Sequence, residues 1–249
     1  NNSKILSIKG NLNSILNLSK SNLDNLIKSE FLESLEDLKL SGKIQSLFQI
    51  EFDKTLKIIN HNFEASGDIK KSEIKFKKPT KYLFVENKIK NLNLEKSNFN
   101  FKLEKKSKNS FNIDGYYKIN NNSLQKFNFE HLNNLNSRKF IIDGELNAEI
   151  NIPILNYNSK NKVVNIKSEF EKKKNSLYLN KFSLVDEKNK ISINNLLLKN
   201  NKLLGFDKIS VKTFQNNSLN NDFEIIFDKK IKVFGSKYDA SNLTQLLDT

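Results

Sequence analysis

The 249-residue chain carries Lys+Arg 42 against Asp+Glu 28, a formal charge of +14, yet Arg138 is its single arginine, so bidentate readout of phosphate and guanine is not built in and no nucleic acid is expected as a partner. Hydrophobic residues at 37%, with 19 Phe, exclude a disordered polar chain, and the absence of Cys excludes disulfides, thiolate nucleophiles and Cys-ligated metals. No apolar run approaches the roughly 18 residues of a membrane-spanning helix.

Ile5, Leu6 and Ile8 read as a short strand ending at Gly10. Leu12, Ile15 and Leu16 then fall at i, i+3, i+4, and Leu23, Leu26 and Ile27 repeat the spacing. Asn11 and Ser21 stand where caps belong, with Asp24 three residues after Ser21, as in a capping box. Residues 1–35 are therefore expected to be a short strand followed by amphipathic helices lying against the edge or end of a sheet.

From Glu36 the period changes to two. Leu38, Leu40, Ile44, Phe48, Ile50 and Phe52 share one parity, while Lys39, Lys43, Gln45, Gln49 and Glu51 take the other. The alternation returns in Phe63 to Ile69, in Phe99, Phe101 and Leu103, and in Phe111, Ile113 and Tyr117. Its longest run is Phe140, Ile142, Leu146, Ala148, Ile150 and Ile152. Later runs are Val164, Ile166 and Phe170; Leu177 and Leu179; Ile191 and Ile193; Ile209 and Val211; Phe223, Ile225 and Phe227; and Ile231 and Val233. Between them stand Asn- and Asp-rich reversals at 120–122, 158–161, 172–175, 186–190, 199–202, 215–222 and 228–230, residues that tolerate positive φ. Residues 36–235 are expected to form one antiparallel meander.

Leu38-Lys39-Leu40-Ser41-Gly42 recurs as the pattern apolar, any, apolar, any, Gly, with the further glycines at Gly67, Gly115, Gly144 and Gly235. A glycine on the apolar face lets a strand bend or bulge, so an elongated, curled sheet is expected. After Gly235, Asp239 and Ser241 precede Leu243, Leu246 and Leu247, which predicts a closing helix over 236–249. The lack of Met and the start at Asn1 lead to the expectation of an excerpt from a longer polypeptide.

No catalytic constellation emerges. His61 and His131 each share parity with neighbouring Phe residues and read as hydrogen-bonded core positions. No histidine pair has metal-ligand spacing, no Gly-x-Ser-x-Gly elbow occurs, and no glycine-rich loop could cradle phosphate. The expectation is a non-enzyme without cofactor or metal.

The closing segment Ile231 to Asp248, IKVFGSKYDASNLTQLLD, resembles the end of repeats in the AsmA-like superfamily of large bacterial envelope proteins, which includes the AsmA, TamB and YhdP types. The early segments NLNSILNLSKSNLDNL and LEDLKLSGKIQSLFQIEFDKTLKIINHNFEASGDIKKSEIKF resemble the helices and the glycine-containing strand pair of such domains. The resemblance implies a U-shaped β-groove that carries phospholipid between inner and outer membranes, periplasmic, tethered to the inner membrane by an anchor outside this chain and continuous with neighbouring segments of the same protein. The residues that would line such a groove are Leu38, Leu40, Ile44, Phe48, Ile50, Phe63, Phe111, Ile113, Phe140, Ile142, Leu146, Ile150, Ile166, Phe170, Phe223 and Ile225. The competing expectation is a surface adhesion or structural β-sandwich, whose apolar faces pack on each other.

Overall fold

Most of the alternating segments are extended and hydrogen-bonded to their neighbours in sequence. The computed structural model describes residues 6–24, 30–80, 85–104, 108–159 and 162–242. It is mainly β, built from antiparallel strands with very few helical residues. The chain divides into two compact units, Asn1–Pro79 with Ile89–Arg138, and Thr80–Lys88 with Lys139–Thr249, so the single meander expected over 36–235 is shared between them.

In the first unit the strands are β1 (Leu6–Ser19), β2 (Leu35–Phe52), β3 (Ile58–Thr80), β4 (Ile89–Glu104), β5 (Lys108–Ile119) and β6 (Gln125–Asn134), hydrogen-bonded in that order. Two short helices, α1 (Lys20–Asp24) and α2 (Glu30–Ser34), connect β1 to β2. They deliver Leu23 and Leu32 to a closed cluster with Leu35, Leu38 and Phe76. Across the sheet, register aligns Gly10 with Phe48, Phe48 with Phe63, Phe101 with Phe111, and Phe111 with His131. The Phe63 and Phe101 rings complete this aromatic row at 6.2 Å.

The second unit contains β7 (Ser137–Leu146), β8 (Asn151–Ile152), the 3-10 turn η1 (Pro153–Leu155), β9 (Tyr157–Asn158), β10 (Val164–Lys173), β11 (Ser176–Val185), β12 (Lys190–Lys199), β13 (Lys202–Gly205), β14 (Lys208–Gln215), β15 (Ser218–Asp228) and β16 (Lys230–Lys237). Its sheet runs β7-β10-β11-β12-β14-β15-β16, with β13 as a branch on β12 and β8-β9 as a separate ribbon. The expected reversals carry left-handed residues: Lys174, Asn200 with Asn201, Asn216 with Asn217, and Lys229 all have positive φ, the backbone that tight hairpins of this twist require.

Several expectations are corrected. Residues 11–16 are not helical but lie inside β1, which pairs with β2 from Leu6↔Phe52 to Ser19↔Lys39. Leu6, Ile8, Leu12, Leu16 and Leu18 also alternate, and the Asn- and Ser-rich positions between them are poor helix formers, so a full ladder with β2 outweighs the coincidental helical spacing. The cap of α1 is Ser19, not Ser21: the Asn22 amide donates to Ser19 Oγ at 3.3 Å and Asn22 Oδ1 accepts the Ser19 amide at 2.9 Å. Asp24 instead pairs with Lys20 at 2.6 Å. Leu26 and Ile27 lie outside the described residues. The long strand expected from Phe140 to Ile152 ends at Leu146, and Ile152 joins β9 instead. Pro153 has no amide for a central ladder, and the backbone of Glu149 and Ile150 bonds to Glu86 and Ser159. At the C-terminal end β16 continues to Lys237, within the span read as a closing helix; Leu243, Leu246 and Leu247 lie outside the described residues.

Register shifts occur beside Gly42, opposite Gly115 and opposite Gly235.

Candidate functional site

Antiparallel register turns alternation within a strand into rows that cross the sheet. In the second unit one row is Ile166, Leu184, Ile191, Val211, Phe223 and Gly235, each the direct partner of the next. The adjacent row, two residues along each strand, is Ser168, Phe182, Ile193, Ile209, Ile225 and Val233. Every residue of both rows except Ser168 lines a single cleft of about 870 Å³. Val85, Leu146, Ile150, Ile152, Ile154, Leu155, Ser236, Lys237 and Tyr238 complete its described walls.

The cleft is partly roofed by the excursion that carries β8, η1 and β9. Ile150 and Tyr157 sink into the core beside Val164, Leu184, Ile191, Val211 and Phe223. Asn156 allows the excursion to turn back because it sits in the left-handed region, at φ 46 and ψ 41. Polar contacts then fix the roof to the sheet. Asn221 Nδ2 donates to the Leu155 carbonyl at 2.7 Å and to Thr213 Oγ1 at 2.8 Å, while Asn221 Oδ1 accepts the Asp239 amide at 2.9 Å. Asn221 and Thr213 are fully buried, so these bonds satisfy groups that water cannot reach. At the other side the Tyr157 hydroxyl donates to Asp186 Oδ2 at 2.9 Å, and Asn189 donates to both oxygens of that carboxylate.

Electrostatics follow from these contacts. Burial pushes the Asp186 carboxyl up, but hydrogen bonds from Asn189 and Tyr157 outweigh it and hold the group below its ordinary value. Burial, reinforced by Asp186, pushes the Tyr157 hydroxyl far up, so it remains a donor. Asp239 is held at about 2 by hydrogen bonds from Ser241 and Asn156. A carboxyl lowered on folding stabilises the fold above its unfolded value of 3.8 and loses that contribution as pH falls towards 2. Asp239→Asn is therefore expected to flatten the loss of stability between pH 3.8 and about 2, read as thermal midpoints by circular dichroism. A slope as steep as that of the unaltered chain would contradict this role for Asp239.

No protein-family model, curated protein or solved structure matches the chain. The functional reading therefore rests on geometry.

Of the residues read as groove-lining, the cleft gathers Leu146, Ile150, Ile166, Phe223 and Ile225. Phe140 and Phe170 stand elsewhere in the second unit, stacked on each other at 4.9 Å, and Ile142 is 37% exposed. The remaining candidates belong to the first unit. Leu38 is corrected to a closed-core residue, since the helices and Phe76 cover it. Ile113 is buried, Leu40 and Ile50 are half-buried, and Phe48 lies over Gly10. Phe63 and Phe111 pair with Phe101 and Phe129, and Ile44 borders a shallower depression whose other walls include Lys43 and Asp68.

Phe182, Leu184, Ile154, Leu155, Val85 and Tyr238 were not legible as cleft residues. The alternation of Phe182 and Leu184 carried the signal for two of them. Ile154 and Leu155 reach the cleft only because Pro153 and Asn156 shape the roof.

Proposed function

We propose that this chain is a non-catalytic lipid-binding segment in which the second unit receives an acyl chain of a membrane phospholipid. The observation that carries the reading is the pair of cross-strand apolar rows lining a cleft of about 870 Å³ among the described residues. A closed adhesion or structural sandwich fills its interior with its own side chains, at a packing density near that of organic crystals. Each methylene buried contributes about 0.8 kcal/mol, so some ten methylenes contribute about 8 kcal/mol before the cost of association, and no reactive side chain is required. With the resemblance to AsmA-like proteins, the reading extends to carriage of phospholipid through the periplasm by a longer protein anchored in the inner membrane.

The test is extraction of the purified chain into organic solvent followed by mass spectrometry, with Ile193→Trp as the comparison. Ile193 stands in the middle of the second row, and the larger ring occupies cleft volume at an overpacking cost of about 1–3 kcal/mol. Phospholipid is expected above a mock-purified control from the unaltered chain, with at least a roughly tenfold loss from the variant, equivalent to about 1.4 kcal/mol of binding. No lipid above control in the unaltered chain, or equal lipid in both, would overturn the proposal.

A further inference from the structure

We infer that the outer edge of β1 is a self-association surface, on which β1 of a second copy of this chain pairs antiparallel about a two-fold axis at Leu12. Among the described residues β1 is paired with β2 alone, so its other side offers backbone amides and carbonyls to a further strand. Sheets commonly blunt such edges with lysines, prolines, bulges or short strands. β16, an edge strand of the second unit, is blunted in this way: it has 8 residues, carries Lys230, Lys232 and Lys237, and shifts register against β15. β1 is not. It has 14 residues, no proline, Lys9 as its one charged side chain, and an unbroken register with β2. Leu6, Ile8, Leu12 and Ile15 are exposed along it.

The sequence of β1 matches a second copy of itself. On one face stand Leu6, Ile8, Gly10, Leu12, Ser14, Leu16 and Leu18, a row that is symmetric about Leu12. With Leu12 opposite Leu12 of an antiparallel second copy, Leu6 meets Leu18, Ile8 meets Leu16 and Gly10 meets Ser14. Every apolar residue of the row then has an apolar partner across the strands, the kind of pair that stabilises a sheet. Moving the axis to Asn11 or Asn13 sets Leu12 against Gly10 or Ser14 instead, and a slip of half that size turns the row onto the opposite face.

Charge fits the same register. Lys9 falls opposite Ile15, so no like charges meet, and the lysine stem lies beside an isoleucine that is exposed in the single chain. The axis stands normal to the sheet, which keeps the apolar rows of both copies on one face. Such a contact uses the same surface on both partners and closes at two copies. The formal charge of +14 opposes association, an opposition that salt screens at about 0.15 M.

The test is sedimentation velocity of the full chain at about 100 μM in about 0.15 M salt, beside Leu12→Lys. The unaltered chain is expected at twice the 28.9 kDa of one copy. Leu12→Lys sets two ammonium groups against each other on the axis and is expected to weaken the dimer by at least about tenfold. Leu12 is 59% exposed, so the single chain is expected to keep its circular dichroism spectrum. Register is read independently from cysteine variants, since the chain has no Cys of its own. In Leu12→Cys the two Cα atoms lie roughly 4.5–5.5 Å apart, a span that a disulfide bridges, and diamide is expected to cross-link it to a dimer. In Ile8→Cys the two cysteines stand about eight residues apart along the strands, roughly 27 Å, and no cross-link is expected. A monomer for the unaltered chain, assembly beyond two copies, a dimer equally tight in Leu12→Lys, or equal cross-linking of the two cysteine variants would each overturn the inference.

Discussion

Tyr157→Ala is expected to cost the second unit about 3–5 kcal/mol, measured as a shift in the urea unfolding midpoint followed by circular dichroism. Tyr157 is 2% exposed and is the largest of the fully buried side chains, so its removal leaves a void that neighbouring β strands cannot readily close. It also strips a hydrogen bond from Asp186, itself 5% exposed, leaving part of a buried carboxylate unsatisfied. Tyr157→Phe separates the two effects. It keeps the ring and removes only the donor, and is expected to cost about 1–3 kcal/mol. A loss below about 1 kcal/mol for the alanine variant would show that this ring does not fix the roof to the sheet.

Gly115→Ala is expected to destabilise the first unit by a comparable amount, on the order of 3–5 kcal/mol, from steric overlap and backbone strain together. Gly115 has φ 153, a conformation that side-chain-bearing residues rarely adopt, and an added Cβ would sit 2.5 Å from Ser97 Cα. Ser97 is fully buried, and the register between β4 and β5 shifts there, from Glu95↔Tyr116 to Asn98↔Asp114. Backbone on one side and a bulge on the other leave little freedom to relax. Gly205→Ala is the matched control: its Cβ would meet only the Phe227 ring, at 3.2 Å, and a loss of less than about 1 kcal/mol is expected. Equal urea midpoints for the two variants would refute the argument from Gly115.

The strand positions were legible because one face of each strand is greasier than the other, and the reversals because Asn and Lys residues at positive φ cluster between strands. Helical spacing misled at Leu12, Ile15 and Leu16, where three residues fit either period and only the partner strand decides. Ile15 is 81% exposed, which shows that it never belonged to the buried set.

The cleft was harder to read than the strands. Alternation identifies which side chains share a face, but not whether that face is covered. Leu38 and Ile166 look alike in sequence, yet Leu38 is sealed by α2 and Phe76 while Ile166 is half-buried and lines the cleft. What separates them is the placement of a few non-periodic residues: the α1–α2 segment in one unit, and Pro153, Asn156 and Tyr157 in the other. Local irregularities also disguise continuity. The apolar parity of β11 switches between Leu179 and Phe182, and its register with β12 passes from Leu179↔Leu196 to Lys181↔Asn194, skipping Asn180 and Asn195. Asn195 has φ 52, the kind of local kink that resets which side chains share a face.

The pairing of Val85 with Ile150 bears on how the second unit can be isolated. Its sequence is not one uninterrupted stretch, because Thr80–Lys88 belongs to it while the following strands do not. Excision at Lys139 would remove the Glu86 amide that donates to the Glu149 carbonyl at 2.8 Å and the Glu86 carboxylate that accepts Asn151 Nδ2 at 3.1 Å. It would also take Val85 out of the cleft wall. A shortened version that keeps the roof intact must therefore splice 80–88 back onto the later strands, and because closure entropy grows only logarithmically, a generous flexible connector costs little more than a short one.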